Sequence, residues 1–190
     1  MTFYSLVLFV HVTAVLGLSA ALSIEALSLF HLRRASTLTD ASRWIEPVPR
    51  LPFVTGGSAL VIFFSGVYLA IRMSAFDAGW PKVTVGALLL IAPLGALTGR
   101  RMRAIRRACA DANAINSELL GRLQDPLLKI SLSVRIWIFL GIVLLMAAKP
   151  GLWESIGIVG TSVVVGLLSS LPAAWRRSRS LSVSSTGFGN

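Results

Sequence analysis

Long apolar runs alternate with short polar segments along this chain, and the run lengths set the fold before any single residue is considered. The runs are Phe3–Phe30, Leu51–Ile71, Val83–Thr98, Ile130–Ala148 and Leu152–Leu171. A hydrocarbon core about 30 Å thick is crossed by about 20 helical residues, so each run reads as one membrane-spanning helix. The pattern predicts an all-α membrane protein of five transmembrane helices, an antiparallel four-helix bundle plus one. The expected spans are about 3–31, 51–72, 81–99, 128–148 and 152–172, forming one domain over residues 1–175.

The segments between the runs carry their own signals. Residues 33–50 are polar and close on Pro47-Val48-Pro49-Arg50-Leu51-Pro52, whose prolines end one helix and introduce the next. A short turn over Ser74–Lys82 places Trp80 at headgroup level and Pro81 in a first helical turn. Pro93 inside the third run predicts a kink, and the Gly95 to Gly99 spacing predicts close backbone approach. Between the third and fourth runs, Ile105, Ala108, Cys109, Ala112, Ile115, Leu119 and Leu123 recur at spacings of three and four among charged residues. That periodicity predicts an amphipathic cytoplasmic helix over about 100–123, continuous with the third span or lying on the membrane. Asp125-Pro126 reads as an N-cap and first-turn proline, Lys149-Pro150-Gly151 as a helix break, and Trp153 as an anchor in the turn that follows. Residues 176–190, rich in Ser and Gly without apolar period, are expected to be disordered.

Charge orients the runs. With the N-terminus outside, 15 of the 18 basic residues fall on the cytoplasmic side and Arg72, Lys82 and Lys149 outside, the positive-inside asymmetry. The first run lacks a basic n-region and far exceeds the length of a signal-peptide core, so it is read as a retained helix. A net charge of +10 and a pI near 11.4 would point to nucleic acid in a soluble protein. In a chain 55% hydrophobic with a mean hydropathy of +0.77, the same residues serve insertion, and no nucleic-acid partner is expected. Arg33, Arg34, Arg100, Arg101 and Arg103, with Trp80 and Trp153, are the expected anchors, and the arginines attract anionic headgroups. A single cysteine, Cys109, excludes an internal disulfide and a thiolate metal cluster. No motif for phosphate binding, hydrolysis or structural zinc is present, so a soluble-type active site is not expected. The two hairpins, runs 1–2 and 3–4, repeat one topology, the kind of symmetry seen in transporters.

Leu8-Phe9-Val10-His11-Val12, Glu25 in an apolar helix, Gly99-Arg100-Arg101, Asp125-Pro126-Leu127 and Lys149-Pro150-Gly151 resemble a family of uncharacterised bacterial polytopic integral-membrane proteins. The likeness covers about residues 1–172 and implies a multi-pass protein of the bacterial inner (cytoplasmic) membrane. More distantly, His11 in the first helix and His31 twenty residues later look like the CopD and HemJ membrane proteins, which pass copper or handle haem and porphyrin. That likeness implies His11 as a ligand for copper or haem b.

Three ionisable residues inside the spans are candidates for chemistry, because each is costly there without a partner. Glu25 lies about 12 Å in from Arg33 along the first helix, and Arg135 about 9 Å in from Lys129 along the fourth, so their depths match. Thr55, Ser58 and Ser131, with Gly56, Gly57 and Ser133, lie at the same level and predict a small polar cavity beside a Glu25–Arg135 pair. His11 shares a face with Glu25 but sits about 21 Å away along the axis. Its partner is expected to be Tyr68 unless it holds a haem or copper, with Lys82, Met73 or Met146 as the second ligand. Three readings stay open. The chain is a structural or accessory membrane protein clamped by the Glu–Arg pair, a carrier for a small solute, ion or proton using Glu25 and Arg135, or a haem or copper redox protein using His11.

Overall fold

The computed structural model describes residues 2–34, 37, 39, 43–44, 51–111, 121 and 125–170, without the side chains of Phe76 and Asp111. Five long helices carry most of these residues: α1 (Phe3–Leu32), α2 (Leu51–Arg72), α3 (Trp80–Asp111), α4 (Pro126–Ala148) and α5 (Leu152–Ser170). All five are long and apolar enough to cross a bilayer, and the protein is an all-α multi-pass membrane protein. Their outer faces are Leu, Phe, Val and Ile side chains left exposed, as hydrocarbon solvent permits and water does not.

The helix ends follow local chemistry. Thr2 caps α1 by accepting the Ser5 amide. Asp125 caps α4 by accepting the Leu127 amide at 3.0 Å, with Pro126 next in the chain, so α4 begins at Pro126, two residues before the expected 128. At the far end Lys149 adopts a left-handed conformation (φ 48°) and donates to the Leu145 carbonyl at 2.9 Å, stopping α4 before Pro150. Glu154 then accepts the Gly151 amide at 3.1 Å and Ser155 donates to the Gly151 carbonyl at 2.7 Å, which starts α5. Between α2 and α3 a 3-10 turn, Ala75–Ala78, ends on Gly79 at φ 76°, where a Cβ would lie 2.8 Å from the Leu152 Cβ. Glycine is thus required both by the backbone and by the contact that joins the two outer turns.

α3 takes the first of the two expected arrangements: the segment after the third span continues it, and one helix runs unbroken from Trp80 through Pro93 to Asp111. Ile105 is buried and Ala108 and Cys109 half-buried, so the apolar stripe keeps its contact with the bundle. Residues 112–120 and the tail from 171 lie outside the described residues.

The helices sort into two groups. α1 lies along α2; α4 lies between α3 and α5. In the second group Gly166 brings α5 onto α4 so closely that a Cβ would stand 2.8 Å from the Val134 Cα. A seam between the groups remains where α2 meets α3 and α1 meets α4.

Candidate functional site

Glu25 and Arg135 meet across that seam. Nη2 of Arg135 donates to Oε1 of Glu25, and both residues are buried, Arg135 at 2% exposure and Glu25 at 7%. The pairing answers the desolvation each charge would otherwise suffer. Among the described residues the other ion pair, Arg101 with Asp125, joins α3 to the α4 N-cap within one group and is part-exposed. Glu25–Arg135 is therefore the described ion pair that spans the two groups.

Gly95 makes room for it. A Cβ at Gly95 would lie 3.1 Å from Nη1 of Arg135, so the α3 backbone forms a flat seat for the guanidinium. Gly99, one turn on, accepts the ring of Pro52 at 3.6 Å. The spacing expected to bring two backbones together here seats an arginine and a proline instead. The seat does not saturate the guanidinium, which has five N–H donors. Nε of Arg135 is buried and has no hydrogen-bond partner.

Beside the pair lies a partly open cavity of about 420 Å³. Leu18 and Glu25 of α1, Leu51 to Ala59 of α2, and a strip of α3 from Leu88 to Arg103 enclose it, with Arg135 reaching in from α4. Its lining is mostly apolar. The polar side chains are Glu25, Thr55, Arg100, Arg103 and Arg135. This size falls in the range of small-molecule sites, in which an apolar wall carries a few placed polar groups.

Of the expected cavity residues, Thr55 lines it and Ser58 and Ser131 do not. Ser58 turns toward α1, its Oγ 3.0 Å from where a Gly17 Cβ would be. Ser131 bonds Thr98 at 2.8 Å and donates to the Leu94 carbonyl at 3.1 Å, tying α4 to α3. Ser133 bonds Ser169 at 2.7 Å on the α5 side. A hydroxyl in a span has carbonyls and other hydroxyls within reach on every side, so depth alone did not say which way these would face.

His11 is buried and bonds through Nδ1 to Ser65 Oγ at 2.8 Å, not to Tyr68. Tyr68 meets Phe3 edge-on at 5.5 Å instead. Residue counting explains the exchange: His11 stands about 12 Å in from Phe3, and Ser65 and Tyr68 about 10 and 6 Å in from Arg72. The imidazole lies on Gly66, where a Cβ would come within 3.2 Å of its Cε1. The neighbouring cavity, lined by Gly66, Thr84 and Met146, holds about 40 Å³ and does not include His11 among its walls. Among the described residues no three His, Cys, Asp or Glu side chains gather as a metal site.

The expected anchors sit at the helix ends. Arg34 lies 4.1 Å over the Phe30 ring, His31 stacks on Trp44 at 4.0 Å, and Trp153 is 82% exposed. Arg33 is half-buried, Arg100, Arg101 and Arg103 are exposed on the extension of α3, and Trp80 opens that helix half-buried. The His31–Trp44 stack had no periodic signal, because Trp44 lies in the polar connection. Compared with known proteins, the chain matches no family model, no curated protein and no solved structure.

Proposed function

We propose that the protein is a solute-binding carrier of the bacterial inner membrane, with its N-terminus outside and its C-terminus cytoplasmic, and that Glu25, Arg135 and the adjoining cavity are its site. One observation carries this reading. A clamp that only fixed helix register would be sealed around its two charges, whereas Arg135 borders a cavity of about 420 Å³ and keeps a buried Nε without an acceptor. An unmet buried donor costs about 1–3 kcal/mol, and the guanidinium that carries it borders the cavity. The ion pair crosses the seam, so a ligand that competes for Arg135 loosens the hold of one helix group on the other. The charge asymmetry supports the orientation.

The second reading, a structural or accessory protein held by the Glu25–Arg135 clamp, is favoured by the burial of both partners. Flux separates the two. Proteoliposomes are incubated with a panel of small radiolabelled organic anions, and the native protein is compared with the folded Glu25→Gln/Arg135→Met pair. Uptake that the double variant loses supports the carrier; a stable native bundle that binds and moves none of them leaves the clamp.

A further inference from the structure

The cavity is sided, and its sidedness specifies a ligand. α3 runs along it from Leu88 to Arg103, a length of about 22 Å. Toward Arg103, beyond Gly95, stand Arg135, Glu25, Thr55, Arg100 and Arg103; toward Leu88 stand only Leu18, Ala59, Leu88, Ile91 and Ala92. The polar half is about 12 Å long and the apolar half about 10 Å. A length of about 22 Å accommodates an extended molecule rather than a compact solute.

Charge in the polar half does not balance. Three guanidinium groups face one carboxylate. Glu25 accepts from Nη2 of Arg135, while Nε of the same side chain, in a residue only 2% exposed, has no partner. An oxyanion suits this arrangement, because a guanidinium offers donors in a fixed plane to two oxygens at once. A neutral headgroup leaves the surplus uncompensated.

The side wall is low where α2 faces α3. Gly56, Ala92 and Ala96, all exposed, line the cavity there, and a Cβ at Gly56 would meet nothing within 4 Å. Small residues on that wall leave the cavity open between α2 and α3.

We infer that the cavity binds a medium-chain amphiphile with an oxyanion head, the head held among Arg135, Arg100 and Arg103 and the tail laid against Leu18, Ile91 and Ala92. The inference rests on the carrier reading of the same cavity and narrows it to one class of solute. Binding gives the arginines of the polar half a charge-assisted partner, and the tail covers apolar wall that the helices leave bare.

The test uses the full chain in phosphatidylcholine nanodiscs and a decanoate probe carrying a diazirine at its tail end. Photolysis is expected to label α3 near Leu88 and Ala92 and the facing part of α2. Excess decanoate is expected to lower that labelling about tenfold, while decanol and acetate at the same concentration leave it unchanged. Arg100→Gln with Arg103→Gln, two exposed positions whose change spares the bundle interior, is expected to weaken decanoate competition about tenfold. Ala92→Trp, which fills the tail end, is expected to abolish labelling there and leave the melting temperature of the nanodisc sample within a few degrees.

Competition by decanol as strong as by decanoate would mean that the arginines do not read the head, and labelling spread evenly over all lipid-facing helices would mean that no tail site exists; either overturns the inference. Competition by acetate equal to that by decanoate overturns the amphiphile while leaving a small-anion carrier standing. Absence of competition by every anion, together with absence of flux, removes both readings.

Discussion

Arg135 on α4 donates through Nη2 to Oε1 of Glu25 on α1, 110 residues away in sequence, with both side chains withdrawn from the surface. The pair does for two helix groups what an apolar interface does elsewhere, but with a different failure mode. Apolar contacts weaken gradually when trimmed, whereas a buried charge left alone has no second-best partner. Removing either residue singly is expected to cost about 3–5 kcal/mol, and removing both much less than the sum. Glu25→Gln, Arg135→Met and the double variant, unfolded thermally in detergent, measure the coupling. Additive losses would show that the residues do not depend on each other.

Gly95 extends the prediction to a third helix. Its missing side chain is what seats the Arg135 guanidinium, so Gly95→Leu forces a branched chain into a space where even a Cβ stands 3.1 Å from Nη1. A loss of about 1–3 kcal/mol is expected, the usual cost of overpacking. Against the Arg135→Met background the same change is expected to cost less, since Met can move aside. Equal losses in both backgrounds would separate Gly95 from the ion pair.

His11 and Ser65 form the corresponding polar contact in the half of the bundle nearer the N-terminus. Ser65→Ala leaves the imidazole Nδ1 without its partner at 2.8 Å, and a destabilisation of about 1–3 kcal/mol is expected. Tyr68→Phe is expected to change stability by less, because the Tyr68 ring contact with Phe3 at 5.5 Å survives loss of the hydroxyl. A larger effect of Tyr68→Phe than of Ser65→Ala in thermal melts would restore the histidine–tyrosine pairing read from sequence depth.

These sites show what a membrane sequence discloses and what it withholds. The five spans are legible because hydrocarbon requires long uninterrupted apolar helices, and their lengths leave little freedom of placement. The Glu25–Arg135 pair is legible for a related reason: two opposite charges at matched depth have few other partners. Ser58, Ser131 and Ser133 are not, because each hydroxyl finds an acceptor on whichever helix it faces, and rotation about the helix axis follows from packing that hydropathy does not encode. Gly95 reads as a packing glycine from its spacing, and only its neighbour Arg135 shows what it accommodates. The cavity is legible only in part: Thr55 and Gly56 at the depth of the pair point to it, but its mostly apolar wall along α3 follows from two helix groups that do not close.

Helix α5 tests how closely the second group is fitted. Gly166 stands against the Val134 backbone, while Gly157 and Gly160 of the same helix would meet nothing within 4 Å. Gly166→Val is therefore expected to displace α5 and destabilise the bundle by about 3 kcal/mol or more. Gly157→Ala and Gly160→Ala are expected to be neutral or slightly stabilising, because alanine favours the helix by up to about 1 kcal/mol. Comparable losses at all three positions would point to an interface with a second chain on the open face of α5.

Orientation is the remaining expectation with a direct measurement. The 15-to-3 division of basic residues predicts that the turn before α5 lies outside and the extension of α3 inside. Ser155, although close to that turn, is a poor reporter: it is fully buried and its hydroxyl is bonded to the Gly151 carbonyl at 2.7 Å. Trp153, 82% exposed, and Arg106, exposed on α3, present their side chains to reagent. In a Cys109→Ser background, Trp153→Cys is expected to react with a membrane-impermeant maleimide added to intact spheroplasts, and Arg106→Cys only after lysis. The reverse pattern would invert the topology and place the arginine end of the cavity, with its anion-binding groups, on the outer face of the membrane.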